Sequence, residues 1–162
     1  MRIRPLDPVT DRARVEKFFA TSADYIHLER GTDPDPTVSD EYFNDAPPGC
    51  DPTASLRLGL FDPDLIGLAD LAFGYPTVTD AYIGLMMITP AQRGTGAGAV
   101  LLRHLEAAAR ARACTALYLG DLDANPKGRA FWQREGFMPT LAKSSITFGQ
   151  MTHVAHRLGK PL

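Results

Sequence analysis

Residues 92 to 100 read Gln-Arg-Gly-Thr-Gly-Ala-Gly-Ala-Val, and no other stretch limits the fold as much. Glycines at 94, 96 and 98 give the backbone left-handed freedom and leave no Cβ to hold a ligand off. The run that follows, "GAVLLRHLEAAARARA", has helical spacing, with Leu101, Leu105 and Ala108 on one face. A helix start carries free N–H groups and the positive end of the helix dipole. A glycine turn feeding it is therefore an anion site, most often for phosphate. Arg93 just before it adds a planar cationic fork.

Three phosphate readings compete. A nucleotide-hydrolysing P-loop needs Gly-Lys-Ser/Thr, which is missing here. Gly94, Gly96 and Ala99 do fit the dinucleotide fingerprint G-x-G-x-x-A. That motif belongs at the tight turn directly after a strand, early in a run of βα units. Here "TPAQR" intervenes and antiparallel-looking strands come first.

The third reading covers more of the chain. "ITPAQRGTGAGAVLL" resembles the acyl-CoA-binding motif of the GNAT superfamily, V-x-P-x-x-R-G-x-G-x-G, through Ile88, Pro90, Arg93, Gly94, Gly96 and Gly98. "ANPKGRAFWQREGF" resembles the family's N-x-x-A-x-x-F-Y-x-x-x-G-F through Asn125, Phe131, Gly136 and Phe137. The order of elements agrees: "MRIRPL" reads as a strand, "VTDRARVEKFFATSADYIHLER" as a helix, and "SDEYFND" as a short helix capped by Ser39. Two strands follow around "DPD", then "DAYIGLMMI", the glycine loop and its helix, "TALYLGDL", a helix at "NPKGRAFWQREG", and two strands around "FGQ".

The resemblance implies an α/β fold in one domain, 1–162. Its sheet would be mixed and mostly antiparallel, with about seven strands, splayed in the middle and flanked by about four helices. It implies an N-acetyltransferase that moves an acetyl group from acetyl-CoA to a primary amine by direct attack in a ternary complex. The backbone at Met87 and Ile88 would pair with the pantetheine arm. Amides of Gly94, Gly96, Ala97 and Gly98 would hold the pyrophosphate, with Arg93, Thr95 and Ala99 alongside and Asn125 opposite. Lys127 and Arg129 would reach the 3′-phosphate or simply form a solvated helix face.

Trp132 stands where the family places its acidic tyrosine, and indole is no practical acid. Either Tyr118 or Tyr82 then protonates the leaving thiolate, or it leaves unaided, and Trp132 packs on the pantetheine or in the core. Asp121, after the strand residues "LYLG", is the first choice as base. Asp70 and a water relay are its rivals. The missing tyrosine also leaves room for an acyl-CoA sensor with no transfer activity.

From Gly31 to Leu56 there is no lysine or arginine, while Asp33, Asp35, Asp40, Glu41, Asp45 and Asp51 fall there. As an acceptor rim they would favour a cationic small-molecule or peptide amine; as a solvated loop they would favour solubility. A net charge of -2 gives no case for nucleic acid, and no apolar run of membrane-spanning length occurs. Cys50 and Cys114 read as free thiols of a cytoplasmic protein. His153 and His156 alternate on a strand, so no metal site is expected. A homodimer through the C-terminal strands is what many relatives would suggest.

Overall fold

The strands are β1 (Arg2–Pro5), β2 (Leu56–Phe61), β3 (Leu65–Phe73), β4 (Asp80–Ile88), β5 (Ala116–Leu122), β6 (Met138–Phe148) and β7 (Met151–Pro161). In the computed structural model, which describes all residues 1–162, they form one seven-stranded sheet ordered β1-β2-β3-β4-β5-β7-β6. Every neighbouring pair is antiparallel except β4 and β5, which run parallel. A parallel pair needs a long crossover. The glycine loop and α4 (Ala97–Ala111) supply it.

The other helices are α1 (Arg12–Thr21), α2 (Ala23–Arg30), α3 (Pro36–Asn44) and α5 (Pro126–Arg134). Five helices replace the expected four because the first one breaks at Ser22. Its amide turns back onto Phe18 and Phe19 carbonyls, and its backbone leaves helical geometry. The acidic segment also differs from expectation. Its helix begins at Pro36 and is capped by Asp35, whose carboxylate accepts from Thr37 N at 2.8 Å. Proline suits that first position because its missing N–H would be unpaired anyway. Ser39 lies buried inside the helix instead of capping it.

The sheet has a core on each face. Helix α4 sets Leu101, Leu102, Leu105 and Ala109 against Leu58, Leu71, Ile83, Leu117 and Leu119, joined by Trp132 and Phe137. On the other face α1, α2 and α3 bury Val15, Phe18, Phe19, Ile26, Tyr42 and Phe43 over Leu68 and Met87. Each such side chain contributes roughly 1.5–3 kcal/mol by leaving water. The β6–β7 hairpin folds onto α2: His153 Nε2 bonds to the Glu29 carbonyl at 2.7 Å, and Gln150 N donates to the Arg30 carbonyl at 2.9 Å. An open-mouthed cavity is thereby bounded by α2, α3, the hairpin and the centre of the sheet. No helix is long and apolar enough to cross a membrane.

Candidate active site

Gly94 and Gly96 take φ of 78° and 94°, and a Cβ on either would meet nothing within 4 Å. The backbone there needs glycine and leaves open space beside it. The amides from Gly94 to Ala99 donate to no protein acceptor; the first amide of α4 to pair is Val100, with the Gly96 carbonyl. Thr95 Oγ1 donates to the Gln92 carbonyl at 2.8 Å and holds the turn shut. A run of free amides at the positive end of a helix of 15 residues is a cradle for an anion with several oxygens. Gly98 has another task. A Cβ there would lie 3.1 Å from the Phe131 ring, so its lack of a side chain lets α5 approach α4.

The Arg93 side chain is already engaged. Its guanidinium grips Asp24 on α2 with two bonds, one of them 3.1 Å, and Nε donates to the Ile88 carbonyl at 3.0 Å. Arg93 in turn holds the Asp24 carboxyl below its usual range. The expected phosphate fork thus ties the loop to α2, as an exposed pair worth about 0–1 kcal/mol.

Pairing between β4 and β5 runs only from Asp80↔Ala116 to Ile83↔Leu119. Beyond it, β4 keeps its β3 neighbour and has none toward β5. The strands part at Gly84, which the β3 register skips: Asp70 faces Leu85 and Leu71 faces Ile83. Gly84 is a β-bulge, which bends the strand and re-aims its groups. Met87 buries its side chain under the α1–α3 core and Ile88 packs toward α4, so only their backbones border the gap. Asn125 stands at the start of α5, where its Oδ1 accepts from Gly128 N at 3.1 Å.

Trp132 is 9% exposed and meets the rings of Phe131 and Phe137 edge to face at 4.9 and 5.2 Å. Trp132→Phe is expected to keep kcat within a few-fold and to lower Tm by several degrees. A ~100-fold fall in kcat would give the indole a part in the chemistry.

The cavity has a volume of 440 Å³. Asp70 on β3 lines it, 7% exposed, with Oδ1 unpartnered. A Cβ on Gly84 would lie 2.6 Å from Asp70 Oδ2, so the carboxylate rests directly on the bulge. Burial pushes the Asp70 carboxyl up to about 6, partly opposed by the nearby Arg57. Arg57 does not pair with it, because its donors go to the Tyr42, Pro52 and Asp45 carbonyls at 2.7 Å each.

Asp121 is placed otherwise. Alternation along β5 puts it with Leu117 and Leu119 on the α4–α5 side, while Gly120 and Leu122 line the cavity. Arg129 Nε donates to it at 2.6 Å, so the two are paired with each other, while Arg129 NH2 has no partner. Burial raises the Asp121 carboxyl against the pull of Arg129. Tyr118 packs on Gly159 outside the cavity, whereas Tyr82 lines it, with its hydroxyl 3.1 Å from where a Gly120 Cβ would be. The bulge has a signal in sequence, a lone glycine inside the apolar strand "DAYIGLMMI".

Most carboxylates of the acidic segment are used internally. Asp33 meets His27 at 2.6 Å, Asp40 meets Arg12 at 2.6 Å, and Glu41 pairs with Arg30. Asp35 and Asp51 cap turns. Asp45, at the cavity wall, forms no ion pair, so the segment offers a cation little free charge. Tyr42 and Phe43 are buried anchors, with Tyr42 OH donating to the Ala69 carbonyl at 3.0 Å.

The family model described as "Acetyltransferase (GNAT) family" matches residues 20–137. No curated protein matches the chain in sequence. An acetyltransferase from Thermus thermophilus superposes with a TM-score of 0.77 at 24% identity, over 99% of this chain and 96% of that one. A ribosomal-protein-alanine N-acetyltransferase from Brucella melitensis gives 0.73 at 17% identity over 100% of both chains. At such identities the likeness is one of fold.

Proposed function

Since the chain belongs to the GNAT acetyltransferase family, we propose that it is an N-acetyltransferase that takes its acyl group from acetyl-CoA and passes it directly to an amine held in the cavity. The observation that carries this reading is one continuous path. It begins at the unpartnered amides of Gly94 to Ala99, follows the open edge of β4, and ends where Gly84 and Asp70 meet the cavity.

Acetyl-CoA brings a thioester, whose carbonyl carbon accepts the amine. The chain supplies the rest. The amides of Gly94 to Ala99 hold the donor's pyrophosphate, and the β4 backbone from Gly84 to Ile88 aligns its arm as an added strand would. Backbone N–H groups at the Gly84 bulge stabilise the charge that develops on the carbonyl oxygen. Asp70 takes the amine proton. Burial is what equips it, because a carboxyl at about 6 is a stronger base than an ordinary one and is still ionised at neutral pH. When the C–S bond breaks, the sulfur carries the electron pair away. Tyr82, which lines the cavity, protonates it, and a thiol pKa near 8.5 makes that help modest.

Thermal unfolding with acetyl-CoA, with NADH and ATP as controls, is the first test. At a hundred times its Kd a ligand adds ~2.7 kcal/mol, a Tm rise of roughly 5–10 °C for a chain of this size. A rise with acetyl-CoA alone, followed by thiol release that depends on an amine, is the expected result. A rise without amine-dependent release would make the protein a sensor. A rise with NADH alone would replace the donor altogether.

A further inference from the structure

The charges around the cavity are sorted by wall. Asp70 and Asp45 bring carboxylates without ion-pair partners to one side. Arg30 lies between Glu29, at 3.1 Å, and Glu41, and is neutralised by them. Across the sheet stands Arg157 on β7, beside Gly120. No carboxylate pairs with it. Its NH2 donates to Tyr75 OH at 2.6 Å, and its guanidinium carbon lies 5.2 Å from the centre of that ring. Tyr75 is fixed in turn against Tyr82, ring centres 5.1 Å apart.

A half-buried guanidinium with only a neutral phenol for company keeps most of its donors unspent. His156 and Lys143 do not share this role. Both also line the cavity and face each other across β6 and β7, but His156 bonds to Asp123 at 3.2 Å, and Lys143 is a solvent-exposed ammonium without the planar fork of Arg157. Asp70 and Arg157 are separated by three strand steps, β3 to β4 to β5 to β7. The β4–β5 pairing has already opened at this level, so the two charges flank the gap from opposite sides of the one cavity.

We infer that Arg157, held by Tyr75, is a carboxylate subsite of the acceptor pocket, and that the acceptor is a small amino-acid-like molecule carrying its amine at one end and a carboxylate at the other. The inference rests on the acyltransferase reading and narrows it. A single planar guanidinium with no helix start or second free guanidinium beside it suits a carboxylate, whereas a phosphate dianion calls for more positive charge. A volume of 440 Å³ is that of a small-molecule pocket. The cationic polyamine suggested by the acidic segment would meet Arg157 as a like charge.

The test compares free amino acids with their C-terminal amides and decarboxylated amines, at fixed acetyl-CoA, by thiol release. The best free acid is expected to exceed its amide ~10- to 100-fold in kcat/KM, mainly through KM. Arg157→Gln should bring the ratio close to one, Arg157→Lys should keep part of it, and Tyr75→Phe should raise KM less than the glutamine variant does. Amides or decarboxylated amines that serve as well as the acids would overturn the inference and leave the acyltransferase reading standing. So would a ratio untouched by Arg157→Gln. If no amine releases thiol, the acyltransferase reading falls on its own. Binding of the same amino acids to wild type and Arg157→Gln, followed by ligand-observed NMR, then decides the subsite: binding lost in the variant supports it, and binding equal in both or absent from both refutes it.

Discussion

Asp70→Asn is expected to lose ~10²–10⁴-fold in kcat/KM, the range for a positioned general base, while the folded protein becomes more stable at neutral pH. Both effects have one cause. The Asp70 carboxyl sits at about 6 because it is buried without a hydrogen-bond partner for Oδ1. In the unfolded chain it would titrate near 3.9. Between about pH 4 and 6 the folded protein therefore keeps a proton that the unfolded chain has already released. Stability falls as pH rises through that window and levels off above it. The gap corresponds to at most about 3 kcal/mol of stability given up at pH 7 and above. Asparagine cannot ionise, so the variant should lack this slope and melt higher at pH 7.5. Activity runs the opposite way in the wild type. It rises with pH through about 6 as Asp70 ionises, and only the acceptor amine's own limb should survive in the variant. Melting curves and pH–rate profiles on the same preparations check both. Wild-type activity in Asp70→Asn would put the proton on a water relay instead.

Gly96→Val is expected to weaken acetyl-CoA binding by ~100-fold or more and to cost only modest stability. Its φ of 94° is one that a β-branched residue adopts only under strain, on the order of 1–2 kcal/mol. Nothing of the protein lies within 4 Å of the new Cβ, so no packing is lost. The side chain would fill the space where an anion approaches the free amides. Gly98→Val makes the contrast. There the Cβ would press on Phe131 at 3.1 Å, so stability should fall along with affinity. Calorimetric titration with acetyl-CoA, beside melting curves, separates the two. Unchanged affinity in a folded Gly96→Val protein would remove the amide cradle from the site.

The glycine loop was readable from residues alone because its causes lie within a few positions of one another. Alternate glycines before a strongly periodic helix specify a tight turn and a free helix start wherever they occur. Strand alternation and turn residues likewise foretold all seven strands and the hairpins at "DPD" and "FGQ". The single first helix did not survive, because the break at Ser22 answers to packing on the sheet more than to propensity.

What the sequence by itself determined is therefore the family, the order of elements and the glycine turn with its free helix start at Gly94 to Ala99. The tertiary structure alone decided which carboxylate meets the cavity and which cations are spent. Asp70 and Asp121 look alike as strand aspartates, but alternation turns one toward the cavity and the other toward Arg129. Arg93, Arg129 and Arg157 look alike as arginines, and only the last lacks a carboxylate partner. Facing and pairing depend on register across a sheet and on neighbours tens of residues away, and a one-residue bulge such as Gly84 reverses them.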